Sequence, residues 1–237
     1  MRTEHSHAPA DIAERLSSAN RTQYLRDFIY GGIDGTVTTF AIVAGVAGAG
    51  LSDTIIVTLG MANIIADGFS MAASNYSGCK ADLDDRARIV AVEHNHIATD
   101  PEGEREELRQ ILALRGLDGN LLEQATDAIS ANKEKWIDIM LTEEYGLSRD
   151  APIPIRSALA TFFAFLLAGS VPLFPFLLGL PDPFRISILV TLLTFFLIGT
   201  GKSRWSLTKW WRSGLETLTI GAVAALLAFV VGSLFHA

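Results

Sequence analysis

The segment MANIIADGFSM, residues 61–71, places one carboxyl group inside a run that is otherwise apolar and long enough to cross a bilayer. On a helix, Asn63, Asp67 and Met71 follow one another at four-residue intervals and therefore lie along one side. A charge inside a membrane span is costly and usually faces a bundle interior or a polar pathway. Asp67 is therefore a candidate functional residue; the alternative is a carboxyl group that only packs or hydrogen-bonds against another helix. The nearby thioether favours a transition metal over Na⁺ or Ca²⁺.

Composition supports a membrane protein. Hydrophobic residues make up 49% of the 237 residues, and the mean hydropathy is +0.32. They concentrate in two blocks, about 28–77 and 153–235, so the net charge of −7 belongs to an acidic module between them. The basic residues form no patch that would suit a nucleic acid, so no such partner is expected. The single cysteine, Cys79, excludes an internal disulfide, and the polar first twenty residues do not resemble a signal peptide.

The pattern predicts an all-α polytopic protein with five transmembrane helices. They are predicted at about 27–51, 55–76, 157–178, 184–200 and 213–235. The predicted domains are a tail (1–26), the first two spans (27–77), a cytoplasmic acidic metal-binding module (78–150) and the last three spans (151–237). The second span has no marked end and is expected to continue as a helix into the module, whose other two helices are expected at about 101–115 and 120–145.

The distribution of charge orients the spans. Lys and Arg concentrate in the tail, the module and the connection 201–212, so the positive-inside rule places the N-terminus and the module in the cytoplasm. Trp205, Trp210 and Trp211 beside these cations indicate an interfacial belt. An odd number of spans argues against two inverted halves in one chain. A homodimer could instead supply a pathway between its two equivalent first spans.

Further acidic residues lie in the spans. Asp27 and Asp34 are seven residues apart on one face of the first span, and the glycines beside Asp34 permit either close helix packing or a local break. Glu216 near the start of the last span is a pathway residue or a partner for a nearby Lys or Arg. These residues, with Asn63, Asp67 and Met71, are the candidate transport pathway.

The module carries paired metal-ligand side chains. The pairs are Glu93 with His96, Glu104 with Glu107, and Met140 with Glu144, each spaced to face one direction from a helix. Carboxylates joined by an imidazole across a helical bundle are ligand types used for divalent iron, manganese and zinc. Each pair alone is also compatible with an ordinary solvated acidic surface. Together with the membrane carboxylates they favour a device that captures metal or gates its passage.

Five segments occur in a characteristic order and spacing: DFIYGGIDG (27–35), ANIIADGFSM (62–71), PEGE (101–104), DIMLTEE (138–144) and SGLE (213–216). Together they resemble the vacuolar iron transporter family, and the resemblance extends from Arg26 to Phe235. The resemblance implies five transmembrane helices per subunit of a homodimer, with a cytoplasmic three-helix metal-binding domain between the second and third. It also implies export of Fe²⁺, and often of other divalent ions, from the cytoplasm in exchange for protons.

The resemblance also implies roles for individual residues. Asp34 and Met71 match membrane metal ligands, and Asp27 matches a position nearer the cytoplasmic mouth. The matches to cytoplasmic ligands are Glu93, Glu104, Glu107, Met140 and Glu144. Three positions depart from the family pattern: His96 replaces an acid, Leu141 replaces a methionine, and Asn63 stands where relatives can have an acid. These departures could shift metal preference towards zinc or cobalt.

The sequence therefore predicts a proton-coupled exporter of Fe²⁺, with Mn²⁺ as a further candidate. The metal is substrate and bound ion, and no prosthetic group is expected. The alternatives are a metal-gated cation channel, an exporter that prefers Zn²⁺ or Co²⁺, and a membrane protein that only buffers metal. No set of nucleophile, base and orienting group indicates an enzyme. A bacterial inner membrane is the favoured location, and a vacuolar membrane is expected if the source is a eukaryote.

Overall fold

The computed structural model describes residues 6–18, 24–148 and 152–235. Helices account for the regular structure in these ranges, which contain no β-strand. Parts of the predicted tail (1–5 and 19–23) and the side chain of Trp205 lie outside the described residues. The described residues divide into two compact units, one formed by 6–18 with 78–148 and 152, and the other by 24–77 with 153–235.

Ten α-helices are described. They are α1 (Pro9–Ser18), α2 (Leu25–Gly48), α3 (Asp53–Thr99), α4 (Pro101–Leu114), α5 (Gly119–Ser130), α6 (Lys133–Glu143), α7 (Pro154–Ser170), α8 (Phe174–Leu177), α9 (Pro183–Lys202) and α10 (Trp210–Leu234). Five helical stretches are long and apolar enough to cross a membrane: α2, α3, α7 with α8, α9 and α10. The third stretch is interrupted at Pro172, since a 3₁₀ turn at Val171–Leu173 separates α7 from α8.

Helix α2 packs closely between α7 and α10 through glycines. A Cβ atom on Gly35 would lie 2.6 Å from the carbonyl oxygen of Phe165 in α7, and one on Gly232 of α10 would collide with the backbone of Gly45. Small residues let membrane helices approach this closely, and the resulting van der Waals contact holds them together. Of the two roles considered for the glycines near Asp34, close packing is therefore the one that the structure shows, because α2 is unbroken.

Helix α3 is continuous over 47 residues. The predicted continuation of the second span into the module is thereby confirmed, and the end of α3 supplies the first helix of that module. Helix α4 begins where Asp100 caps it, because the Asp100 carboxylate accepts a hydrogen bond of 3.1 Å from the backbone N–H of Gly103. Gly116 then turns the chain with a φ of +91°, which favours glycine.

The single helix predicted at 120–145 is wrong, since the structure has two helices there. Asn132 leaves the helical conformation, with φ −119° and ψ 100°, and its side chain accepts a hydrogen bond from the backbone N–H of Lys135 at the start of α6. Asparagine is favoured at such N-caps because its side-chain oxygen satisfies a free backbone donor. The module therefore consists of four helical segments: the end of α3, and α4, α5 and α6.

Apolar contacts and ion pairs hold the module together. Leu108, Trp136 and Met140 form one buried cluster, and Ile89, Ile137 and Leu141 form a second. Arg105 and Arg109 of α4 bind the acids of α5, with N–O distances of 2.6 Å from Arg105 to Asp127 and 2.8 Å from Arg109 to Glu123. These pairs are exposed and contribute little each. The buried clusters therefore fix how α3, α4 and α6 face one another.

Candidate metal site

Three of the predicted ligands meet in the module. Glu93 and His96 lie one turn apart near the end of α3, and Glu104 lies in the first turn of α4, which follows immediately after Thr99 and Asp100. One ligand atom from each residue lies within 4.8 Å of the others. The Nδ1 atom of His96 is 3.1 Å from Oε1 of Glu104 and 3.7 Å from Oε1 of Glu93. The tight α3–α4 reversal thus brings two carboxylates and one imidazole to one point.

The carboxylates of this cluster are buried, while its imidazole reaches solvent. The side chains of Glu93 and Glu104 are 1% and 8% exposed, and that of His96 is 45% exposed. The Oε2 atoms of both glutamates are buried and have no hydrogen-bond partner among the described residues. A buried, unpaired carboxylate oxygen is costly, and charges buried in proteins are normally paired or coordinate a metal. The two oxygens therefore suit a cation that enters beside His96.

Burial and mutual repulsion set the ionisation of the cluster. Burial first, and then the negative charges of Glu93, Glu107 and Glu144, raise the pKa of Glu104 to about 7, while His96 opposes the rise. A divalent cation would reverse this effect, because it stabilises the ionised carboxylates that it binds. Near neutral pH, binding of metal to this site is therefore expected to release protons.

Glu107 and Glu144 belong to the same electrostatic cluster. The pKa of Glu144 is raised by burial first and then by the charges of Glu107 and Glu93. The sequence places these acids on separate helices, Glu107 on α4 and Glu144 at the end of α6. The fold brings their carboxylates close enough to repel each other. Five of the six predicted cytoplasmic ligands thus interact around one centre.

Met140, the sixth predicted ligand, lies in apolar surroundings. It is fully buried and packs with Leu108 and Trp136 in the core of the module. Leu141, which occupies the position of a methionine in the family pattern, packs instead with Ile89 and Ile137. Leu141 is therefore explained as a core residue between α3 and α6.

Tyr145 was missed by the sequence reasoning. Its hydroxyl group donates a hydrogen bond of 2.9 Å to Oε1 of Glu93, and it also bonds to Glu144. Burial and these two carboxylates raise the pKa of the Tyr145 hydroxyl, so it remains a neutral donor. Tyr145 thereby orients Glu93 towards the centre of the cluster. Its place directly after Glu144 was the only signal in the sequence.

The membrane candidates line the contact between α2 and α3. The side-chain amide of Asn63 donates a hydrogen bond of 3.2 Å to Oγ1 of Thr38. Asp34 lies one turn before Thr38 on α2, and Asp67 lies one turn after Asn63 on α3. The carboxylates of Asp34 and Asp67 interact electrostatically. Met71 lies one turn further along α3. Asn63, Asp34 and Asp67 therefore occupy adjacent levels of one polar strip, and Met71 extends it.

Asp27 continues this strip at the start of α2. The side chain of Asn75 donates hydrogen bonds to Oδ1 of Asp27 at 3.1 Å and to Oγ1 of Thr161 at 2.8 Å. Asn75 was not singled out from the sequence, because an isolated asparagine carries no motif. It connects α2, α3 and α7 around the carboxylate of Asp27.

Glu216 lies apart from this strip. Its side chain on α10 is 60% exposed, and its Oε2 atom is 3.7 Å from Nζ of Lys202 at the end of α9. Of the two roles considered from the sequence, the geometry therefore favours a partner for a basic residue.

The fold and the cluster together define a polytopic helical membrane protein with a site of metal-ligand chemistry. The family model described as the VIT family matches residues 25–233, so the chain belongs to this family. Similar proteins include vacuolar iron transporter 1 of Arabidopsis thaliana, which is 34% identical over 87% of this chain and 84% of its own length. Vacuolar iron transporter 1 of Eucalyptus grandis is 32% identical with the same coverage.

More distant relatives carry the same name. The vacuolar iron transporter of Toxoplasma gondii is 30% identical over 91% of this chain and 75% of its own length. Since the matches span nearly all of the chain, they concern the membrane helices and the module alike. The resemblance to the family is thereby confirmed, and the chain is a transporter of metal ions and not an enzyme.

Proposed function

We propose that this protein exports divalent iron from the cytoplasm in exchange for protons, and that Mn²⁺ is a second substrate. The observation that carries the proposal is the cluster of Glu93, His96 and Glu104, with two buried carboxylate oxygens that lack a partner among the described residues. The relatives named as iron transporters support iron as the cargo.

The ligand types support a transition metal. Carboxylate oxygens and an imidazole nitrogen suit Fe²⁺, Mn²⁺, Zn²⁺ and Co²⁺, whereas Ca²⁺ and Mg²⁺ prefer oxygen ligands alone. In the proposed mechanism, Glu93, His96 and Glu104 hold the ion, and Glu107 and Glu144 complete the capture site, while Met140 packs in the core of the module. Tyr145 keeps Glu93 in place.

The membrane strip supports the transport step. The ion passes Asp27 and binds at Asp34 and Met71, with Asn63 and Asp67 beside it. Ionised carboxylates are needed as ligands, so binding displaces protons, and protonation from the opposite side releases the ion. Protons and metal therefore compete for the same oxygens, which couples the two flows.

The arrangement in the membrane follows from charge and symmetry. The positive-inside rule places the N-terminus and the module in the cytoplasm. Two chains form a homodimer whose first spans, α2, face a shared pathway. The membrane is the inner membrane of a bacterium or, in a eukaryote, the vacuolar membrane.

A second candidate is an exporter that prefers Zn²⁺ or Co²⁺. The specific observation in its favour is the imidazole of His96, 3.1 Å from Glu104, at a position where the family pattern has an acid. Nitrogen ligands bind these later metals well. Transport of each metal by one preparation separates the two candidates.

The test compares Asp34→Asn, the double variant Glu93→Gln/Glu104→Gln, and the wild-type protein in proteoliposomes. Asp53→Asn is the matched control, because Asp53 is an exposed acid at the start of α3 and is none of the proposed ligands. Asp34→Asn is expected to abolish Fe²⁺ transport while Fe²⁺ still binds to the module. The double variant is expected to lose that binding and to transport only at higher Fe²⁺ concentration. Full transport by Asp34→Asn would contradict the proposal.

A further inference from the structure

An apolar cavity lies on the membrane unit between α2, α7 and α9. Its volume is about 400 Å³, and its walls include Phe28, Ile29, Ala164 and Leu197. A Cβ atom on Gly32 would be 3.7 Å from the side chain of Ile198 and 3.8 Å from that of Ala168, so the three helices meet in ordinary contact at one part of the wall. None of the residues proposed for metal transport lines this cavity.

A second cavity adjoins the first. Its volume is about 530 Å³, and it shares Leu25, Ile29 and Lys202 with its neighbour. Two adjoining apolar cavities that share one lysine match the form of a lipid with two acyl chains and one charged head group. A soluble ligand of similar charge would gain nothing from these apolar walls.

Three basic residues surround the two cavities. Lys202 lines both, Arg204 lines the first, and Arg26 lines the second. Lys202 forms an ion pair with Glu216, whose Oε2 atom is 3.7 Å from its Nζ atom and whose side chain is 60% exposed. The Lys202 side chain is 40% exposed and has three N–H donors, so one ion pair leaves it able to bind an anion.

The surrounding aromatic residues place these cations at the level of lipid head groups. Helix α9 ends at Lys202 and α10 begins at Trp210. Trp210 and Trp211 are exposed, and the guanidinium group of Arg212 stacks over the Trp211 ring at 5.2 Å from its centre. Exposed tryptophans beside cations are typical of the membrane–water interface.

We propose that these paired cavities bind an anionic glycerophospholipid, with its phosphate at Lys202 and Arg204 and its acyl chains along α2, α7 and α9. The complementary charge favours an anionic lipid over a zwitterionic one, because each basic residue near the membrane surface attracts anionic lipid. The proposed lipid site contains none of the residues proposed for metal transport, so it is tested independently of the proposed function.

The experiment is native mass spectrometry of the purified full-length protein in detergent. It is titrated with phosphatidylglycerol and, separately, with phosphatidylcholine of the same acyl chains. Wild-type protein is expected to retain phosphatidylglycerol preferentially. Lys202→Gln is expected to weaken its binding about five-fold and Lys202→Gln/Arg204→Gln about thirty-fold, from the usual contribution of one basic residue at the surface. Phosphatidylcholine binding is expected to change little.

Three controls make the result specific. Arg185→Gln removes an 83% exposed cation at the start of α9, the opposite end of that helix, and is expected to have no effect. Glu216→Gln removes the ion pair but keeps Lys202, and phosphatidylglycerol is expected to bind at least as tightly as to the wild type. Weaker binding would show that Lys202 does not bind the phosphate by itself and would contradict the proposal. Ala168→Phe fills the first cavity and is expected to reduce binding with all charges retained.

Other outcomes would overturn the proposal. Equal retention of both lipids, or equal loss in Arg185→Gln, would show that the cavities do not select an anionic lipid. Displacement of the lipid by millimolar glycerol phosphate would show a site for a free phosphate. A change of oligomeric state in Ala168→Phe, without lipid loss, would show that a second copy of the chain covers the cavities.

Discussion

Replacing Glu104 by Gln is expected to stabilise the metal-free module at alkaline pH. The pKa of Glu104 is about 7 in the folded module and 4.5 as a free side chain. Because the folded state raises this pKa, protonated Glu104 stabilises the fold. That stabilisation is fully present below pH 4.5 and is lost as the pH rises through 7. At pH 8 ionised Glu104 costs at most about 3 kcal/mol, since one pKa unit corresponds to about 1.4 kcal/mol. A neutral glutamine avoids this cost.

The measurement is amide hydrogen exchange of the intact protein in detergent with a metal chelator. Peptides from α4, Pro101–Leu114, report how often the module opens. In Glu104→Gln their exchange at pH 8 is expected to slow by up to about a hundred-fold relative to wild type, and at about pH 4, below the free pKa, the two proteins are expected to agree. Glu102→Gln controls for losing an exposed acid from the same turn. Equal exchange in Glu104→Gln and wild type at pH 8 would show that ionised Glu104 does not destabilise the module.

Three further variants test the geometry. Tyr145→Phe removes the donor to Glu93 and is expected to weaken Fe²⁺ binding by the isolated protein several-fold in calorimetry; unchanged affinity would show that Tyr145 does not orient its partner. Gly35→Ala is expected to lower the thermal midpoint, because its Cβ would press on the backbone of Phe165, and a normal midpoint would contradict this close packing. His96→Glu is expected to raise binding of Mn²⁺ relative to Zn²⁺, and an unchanged ratio would exclude His96 as a ligand.

Local chemistry made much of the fold predictable. The membrane spans follow from length and apolarity, and the start of α4 follows from Asp100 and Pro101 as cap and first helical residue. The break between α5 and α6 was missed because the apolar spacing continues across it. Asn132 in a polar stretch was its only signal, and an asparagine alone marks a cap only when the backbone turns there.

The candidate site was predictable in its members but not in its arrangement. Spacing on one helix paired Glu93 with His96, whereas the approach of Glu104 depends on the tight reversal between α3 and α4. Contacts across helices, such as that from Tyr145 to Glu93, leave no periodic trace in a sequence. Burial of the unpaired oxygens, which distinguishes a candidate metal site from an acidic surface, also requires the packed helices.

Simultaneous measurement of metal and proton flux tests directly whether the protein exchanges Fe²⁺ for protons. Purified protein in liposomes is given Fe²⁺ outside, with and without an imposed pH gradient, while internal Fe²⁺ and internal pH are recorded together. If the protein exchanges Fe²⁺ for protons, a gradient with the interior acidic is expected to drive Fe²⁺ inwards while protons leave in parallel, and Asp34→Asn is expected to stop both flows. Fe²⁺ uptake indifferent to the pH gradient would contradict the exchange mechanism and favour a channel, and binding without uptake would favour a metal buffer.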